Sequence, residues 1–99
     1  MDRVALVAAQ STGITKLLDS VAATGAGSAN KPEAIYRVFH VIISDTATCK
    51  LQASIDGANW IDLQTSTASE GYSTSEPWPY VRGNVTAYTS GTVTLMMAI

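Results

Sequence analysis

Few residues of this 99-residue chain could do chemistry, and their spacing suits it poorly. His40 is the only histidine and Cys49 the only cysteine. A hydrolase triad or a zinc site needs partners at fixed offsets, and neither residue has them in the sequence. The expectation is that His40 packs or faces a partner and that Cys49 is a small buried hydrophobe. Asp56, Asp62, Glu70 and Glu76 are oxygen ligands of the kind that hold calcium. They carry no EF-hand or repeat spacing, so turn formation and solvation are expected of them. No catalytic residue, cofactor or metal is therefore assigned. The aromatic set is more informative: Trp60, Tyr72, Trp78, Tyr80 and Tyr88. Aromatics near turns can form a sugar platform, anchor an interface or cap a core. Asn84-Val85-Thr86 matches a glycosylation sequon, but it falls in an expected strand.

Composition narrows the classes further. Apolar residues make up 46% of the chain and charged residues 14%, a balance that argues against disorder. The surface it implies is mostly Ser, Thr, Asn and Gly, or is partly covered by neighbours. Ninety-nine residues make one domain, which buries only about 60–65% of its unfolded surface. Partners could therefore contribute to its stability. The net charge is −2, and Arg3, Lys16, Lys31, Arg37, Lys50 and Arg82 are scattered singly. Without a basic cluster to neutralise phosphates, no nucleic-acid partner is expected. No apolar run reaches the roughly 18 residues of a membrane-spanning helix, so no membrane is expected either. Val4 to Ala9 resembles the core of a signal peptide. It is only six residues long, however, and Asp2 cancels Arg3 in front of it.

The elements that must position these residues are strands. Thr48 to Ile55 alternates, with Cys49, Leu51, Ala53 and Ile55 on one face. Asp56-Gly57-Ala58-Asn59 supplies turn chemistry, and Trp60 to Gln64 returns with Ile61 and Leu63 inward. Residues 48–64 are thus expected to be a β-hairpin. Tyr80 to Tyr88 alternates again, with Val81, Gly83, Val85 and Ala87 inward. A turn at Thr89-Ser90-Gly91 then leads to Val93, Leu95, Met97 and Ile99 on one face. Residues 80–99 read as a second hairpin. Thr65 to Ser75 reads as a long polar loop with a short strand near Tyr72, and Pro77-Trp78-Pro79 cannot be a central strand. Ile35 to Ser44 is β-branched and aromatic with apolar groups on both faces, so it needs cover on both sides. Ser20 to Asn30 reads as a loop or weak strand. Residues 1–20 fix no face and are expected to be an N-terminal arm or an added strand. Residues 1 to about 12 are expected to order only in an assembly. The fold class that results is all-β: an antiparallel β-sandwich or flattened barrel, jelly-roll-like, in a single domain spanning 1–99.

Three segments occur in order: Ala23-Thr24-Gly25-Ala26-Gly27-Ser28-Ala29, Leu51-Gln52-Ala53-Ser54-Ile55-Asp56-Gly57-Ala58-Asn59-Trp60, and Pro77-Trp78-Pro79-Tyr80-Val81-Arg82-Gly83-Asn84-Val85-Thr86. Together they resemble a group of small virion proteins of tailed bacteriophages, over roughly residues 22–99. The resemblance implies a β-sandwich used as a non-enzymatic structural subunit. It would be a capsid decoration (cement) protein or a tail component, made in the bacterial host cytoplasm and located in the virion. Its partners would be a major capsid protein or tail proteins, and further copies of itself in a homo-oligomer. The candidate interface residues are Tyr36, Val38, His40, Ile42, Trp60, Trp78, Tyr80 and Arg82. The alternative to a lattice-binding subunit is a small carbohydrate-binding module that uses the surface aromatics.

Overall fold

The computed structural model describes residues 13–98. The expectations for residues 1–12 and for Ile99 lie outside these. Eight strands run in the order β1 (Ile14–Val21), β2 (Gly25–Ala26), β3 (Arg37–Ile43), β4 (Thr46–Ser54), β5 (Ile61–Ser66), β6 (Glu70–Thr74), β7 (Tyr80–Ser90) and β8 (Val93–Ala98). They form two four-stranded antiparallel sheets, β1-β8-β3-β6 and β2-β7-β4-β5. The sheets pack as a sandwich and do not close into a barrel.

The strand order follows from one long nested hairpin. β4 pairs with β5, β3 with β6, β2 with β7 and β1 with β8. Every one of these pairs straddles the same point of the chain, the 55–60 turn. Rolling that hairpin up adds two further pairings, β3 with β8 and β4 with β7. This is the jelly-roll arrangement.

The 48–64 hairpin is present as β4 and β5, and its turn is built locally. The Asp56 carboxylate accepts bonds from Ser54 Oγ and the Ala58 and Asn59 amides, all at 2.8–2.9 Å, and from Asn59 Nδ2 at 2.7 Å. Gly57 supplies the positive φ, 77°.

The expected hairpin of residues 80–99 is not formed. β7 and β8 follow each other across a tight turn, with Gly91 at φ 88°, but they lie in different sheets. β7 pairs with β4 and β2, and β8 with β1 and β3. The alternation identified the inward residues correctly but could not choose a hydrogen-bonding partner. Three other expectations also need correcting. Thr65–Ser75 is not one long loop, since β5 runs to Ser66, while the short strand expected near Tyr72 is present as β6, which begins at Glu70. Ile55 is exposed because β4 ends one residue before it, and Ile61 is half exposed beyond a register shift at Leu51/Gln52. Ala87 is exposed where the β4–β7 register slips at Thr48/Cys49.

The core lies between the sheets. Leu17, Leu18, Phe39, Val41, Ile43, Val93, Leu95 and Met97 come from one side, and Ala47, Cys49, Leu51, Ala53, Val81 and Val85 from the other. Phe39 stacks on Tyr72 at 5.5 Å between ring centroids. β1 carries register shifts on both sides of Leu18, and these turn the adjacent Leu17 and Leu18 both inward. Leu18 needs room in the opposite sheet, and Gly83 provides it. A Cβ at Gly83 would stand 2.7 Å from Leu18 Cγ and Cδ1.

Candidate functional site

Alternation along β3 sorts its side chains. Arg37, Phe39, Val41 and Ile43 are buried, and Val38, His40 and Ile42 point away from the core. Register extends that outer row across the sheet. Val38 stands beside Ala98, which stands beside Ile14, and His40 stands beside Met96, which stands beside Lys16. A shallow apolar depression of about 180 Å³ runs among Ile14, Val38, His40, Met96 and Ala98. The outer face of this sheet is therefore a mostly apolar strip where solvent would favour polar groups.

The antiparallel pairing also fixes which connections share an end. The start of β1, the end of β8, the start of β3, the 55–60 turn and the 75–79 segment all lie at one end of the sandwich. Ile14, Ile35, Tyr36, Val38, Ile55 and Ile61 cluster there, with exposures from 42% to 74%. Of the exposed large hydrophobics among the described residues, Ile42 alone lies away from that end. The opposite end carries Ser44-Asp45, Thr67-Ala68-Ser69 and Gly91-Thr92, all polar or small. Exposed apolar area thus sits at one end and on one outer face.

Two adjoining depressions at that end form a groove. One of about 370 Å³ is lined by Ile55, Glu76, Pro77, Trp78 and Pro79. The other, about 260 Å³, shares Ile55 and Trp78 and adds Ala53, Asp56, Asn59 and Ile61 among its walls. Trp78 packs one side against the core, and its indole N–H donates to Glu76 Oε1 at 3.1 Å.

Arg37 holds this end together. Its guanidinium is buried and donates to three backbone carbonyls: Ala34 at 2.6 Å, Trp78 at 2.9 Å and Pro32 at 3.2 Å. Burial lowers its pKa from the ordinary value. The arginine fork matches three diverging carbonyls that no other side chain among the described residues supplies with donors.

The outer face of the second sheet is different in character. Gln52 accepts from Arg82 Nε at 2.8 Å and from Asn84 at 3.3 Å, and it donates to Asp62 at 2.8 Å. Lys50 bonds the other Asp62 oxygen at 2.9 Å. The Lys50 and Gln52 bonds hold the Asp62 carboxyl below its ordinary pKa. The Arg82 guanidinium lies over the Trp60 ring, 4.3 Å from its centroid, and Lys31 lies over Tyr80 at 5.4 Å. This face is a polar network in which Gln52 ties Asp62, Arg82 and Asn84 together.

The eight candidate interface residues are therefore not one site. Tyr36, Val38, His40 and Ile42 fall together beside the apolar strip. Trp60, Tyr80 and Arg82 lie on the opposite outer face, and Trp78 sits at the end between them. Sequence reasoning missed Ile14, Ile35, Ile55 and Ile61 as surface residues, and Arg37 as the clamp. A signal for Arg37 was present, since it shares its parity with Phe39, Val41 and Ile43. Cys49 is buried, and burial raises its thiol pKa to about 11. Among the described residues, no group of three His, Cys, Asp or Glu is placed to hold a metal ion.

The fold has a counterpart among solved structures. The SPBc2 prophage-derived protein YomS superposes with a TM-score of 0.70 at 10% sequence identity, over 87% of this chain and 90% of that one. No protein-family model matches the sequence, and no curated protein matches it.

Proposed function

We propose that the chain is a non-enzymatic structural subunit of a tailed-phage particle, a capsid decoration protein that docks on the capsid lattice. The observation that carries this reading is the one-sided placement of exposed apolar residues. Ile14, Val38, Ile42, Met96 and Ala98 on one outer face, with Ile35, Tyr36, Ile55 and Ile61 at the adjoining end, make a surface that favours cover. Two supports stand beside it: the three sequence segments shared in order with small phage virion proteins, and the fold shared with a prophage-derived protein. Docking would work through area. A contact of about 800 Å² per partner, repeated over many copies on a lattice, binds well even when each contact is modest. The subunit would be made in the host cytoplasm and meet its partners, including further copies of itself, on the particle.

The test is co-sedimentation of the purified protein with undecorated heads and, separately, with tails. Binding to heads that Val38→Asp combined with Ile42→Asp abolishes is the expected result. Both positions are exposed, so the fold tolerates the change. Binding to tails alone moves the subunit to the tail. Failure to bind either particle, with retention on a glycan array that depends on Trp60, would replace the proposal with the sugar-binding alternative.

A further inference from the structure

We propose that the open seam between β5 and β6 and the groove beside it form one receptor for an extended segment of a partner protein, in which a Lys or Arg stands between two apolar residues. That the partner is the particle protein on which the chain docks rests on the reading proposed above. The chemistry of the segment rests on the receptor itself.

β6 is an edge of one sheet and β5 an edge of the other, and among the described residues no strand pairs with the outer side of either. A depression of about 200 Å³ opens between them. It reaches inward to the buried Leu51, and its other apolar walls are Leu63 and Tyr72, whose ring stacks on Phe39. At about 30 Å³ per water, this is the space of roughly six to seven waters, enough for one large apolar side chain. Glu76 lines this depression and also the 370 Å³ depression of Ile55 and Trp78. That one shares Ile55 and Trp78 with the depression that reaches Ile61. The three are therefore one path, with Glu76 at the joint between the seam and the groove. β5 borders both ends of it, from Gln64 and Leu63 in the seam to Ile61 at the far side. That is about 10 Å of strand, which an extended partner crosses in about four residues.

Charge selects the middle residue of the partner. Glu76 gives Oε1 to the Trp78 indole, and its Oε2 takes no hydrogen bond from the described residues. Asp56 adds a second carboxylate at the far depression, and its bonds to the Asn59 and Ala58 amides hold it ionised. No Lys, Arg or His among the described residues lines any of the three depressions. The buried Arg37 guanidinium donates to the Trp78 carbonyl and offsets one carboxylate, which leaves the rim acidic. An apolar side chain in the seam, a cation at Glu76 and an apolar side chain between Ile55 and Trp78 match the path in order. An acidic segment would meet like charge, and a wholly apolar one would bury Glu76 without a partner. Recognition by successive pockets along an extended chain needs no change in the fold.

The probes are fluorescently labelled seven-residue peptides with leucine, arginine and leucine at alternate positions and serine elsewhere. Two controls carry glutamate or serine in place of the arginine. Anisotropy measured on the full chain reads binding. The arginine peptide is expected to bind about tenfold more tightly than the glutamate peptide, with the serine peptide between them and the difference shrinking as salt rises. Glu76→Arg is expected to reverse the order. Ile55→Ser is expected to weaken the arginine and serine peptides alike. Both residues are exposed, and circular dichroism of each variant shows that its fold is intact. Arginine amide alone is expected not to compete, because it fills one of three parts. Equal binding of the arginine and glutamate peptides would overturn the inference. So would binding of none, or full competition by arginine amide. Co-sedimentation with heads separates this inference from the docking reading. Loss of head binding on adding the arginine peptide is expected. Heads bound equally with the peptide present would overturn the inference and leave docking standing. Selective peptide binding by a chain that binds no heads would support the receptor and overturn the docking reading alone.

Discussion

Replacing Arg37 with Met keeps the length and apolar body of the side chain and removes its five donors. The guanidinium now serves the carbonyls of Ala34, Trp78 and Pro32. Hydrogen bonds to a charged group contribute about 1.5–3 kcal/mol each, and three give a gross loss of about 5–9 kcal/mol. Against this, the fold no longer buries a charge, a relief of several kcal/mol. The three carbonyls can turn part of the way to solvent, because the 30–36 and 75–79 segments lie at the surface. The expected net destabilisation is about 2–4 kcal/mol. With a urea slope of about 1.5 kcal/mol/M for a domain of this size, the midpoint should fall by about 1.3–2.7 M. Arg37→Lys should fall between the two, since one ammonium cannot reach three diverging carbonyls. Trp78 should also report a looser end through redshifted emission before global unfolding. A midpoint within 0.3 M of wild type, on the order of the uncertainty of the urea extrapolation, would refute the clamp. Water would then serve those carbonyls as well as the guanidinium does.

Leu51→Asp places a carboxylate at a position 1% exposed and should leave no cooperative thermal transition; a wild-type melting curve would show that this parity is not buried. Gly83→Ala should cost about 1–3 kcal/mol by forcing Leu18 off its position, and pairing it with Leu18→Val should recover part of the loss in denaturant titrations. Asp56 and Asp62 both have folded pKa values below their ordinary ones, Asp56 through the Asn59 and Ala58 amides first. Their contribution is therefore present above the unfolded value of about 3.9 and is lost as the pH falls below it, so the urea midpoint should drop in that window and drop less in Asp56→Asn. Cys49, buried and with its thiol raised to about 11, should react with a thiol reagent at pH 8 only as fast as the domain opens; rapid stoichiometric labelling would place it at the surface.

The parts of the fold legible in the sequence are those written by neighbours in sequence. The β4–β5 turn is fixed by Asp56 bonding residues two and three positions on, so its signal is local and unambiguous. Inward and outward faces were equally legible wherever one face is polar and the pleat runs undisturbed, as in β8 and the first half of β7; β3, apolar on both faces, left its parity open. The choice of partner was not legible. Ser90-Gly91 turns the chain as a hairpin turn would, yet delivers it to the other sheet, and nothing in the alternation of β7 or β8 distinguishes the two outcomes. Register shifts in β1, β4 and β5 account for the misjudged Ile61 and Ala87 and for the paired Leu17 and Leu18. Of the candidate surface, the β3 outer row was legible once parity was known. The end cluster was not, because it gathers residues from three separate parts of the chain, the start of β1, the start of β3 and the two sides of the 55–60 turn, that only the completed topology brings together.

The nesting of the strands also has a consequence for the order of events as the chain is made. β8 is the last of the described strands, and it stands between β1 and β3 and joins them within their sheet. The tip hairpin can close early, since its ends are a few residues apart and short loops close at little entropic cost. β1 must wait for a partner more than seventy positions downstream. Such non-local closure favours slow folding, on the order of milliseconds to seconds for all-β domains. Until Val93–Ala98 leaves the ribosome, the sheet bearing the apolar strip cannot assemble. A chain truncated before that point would therefore never present the surface assigned to docking.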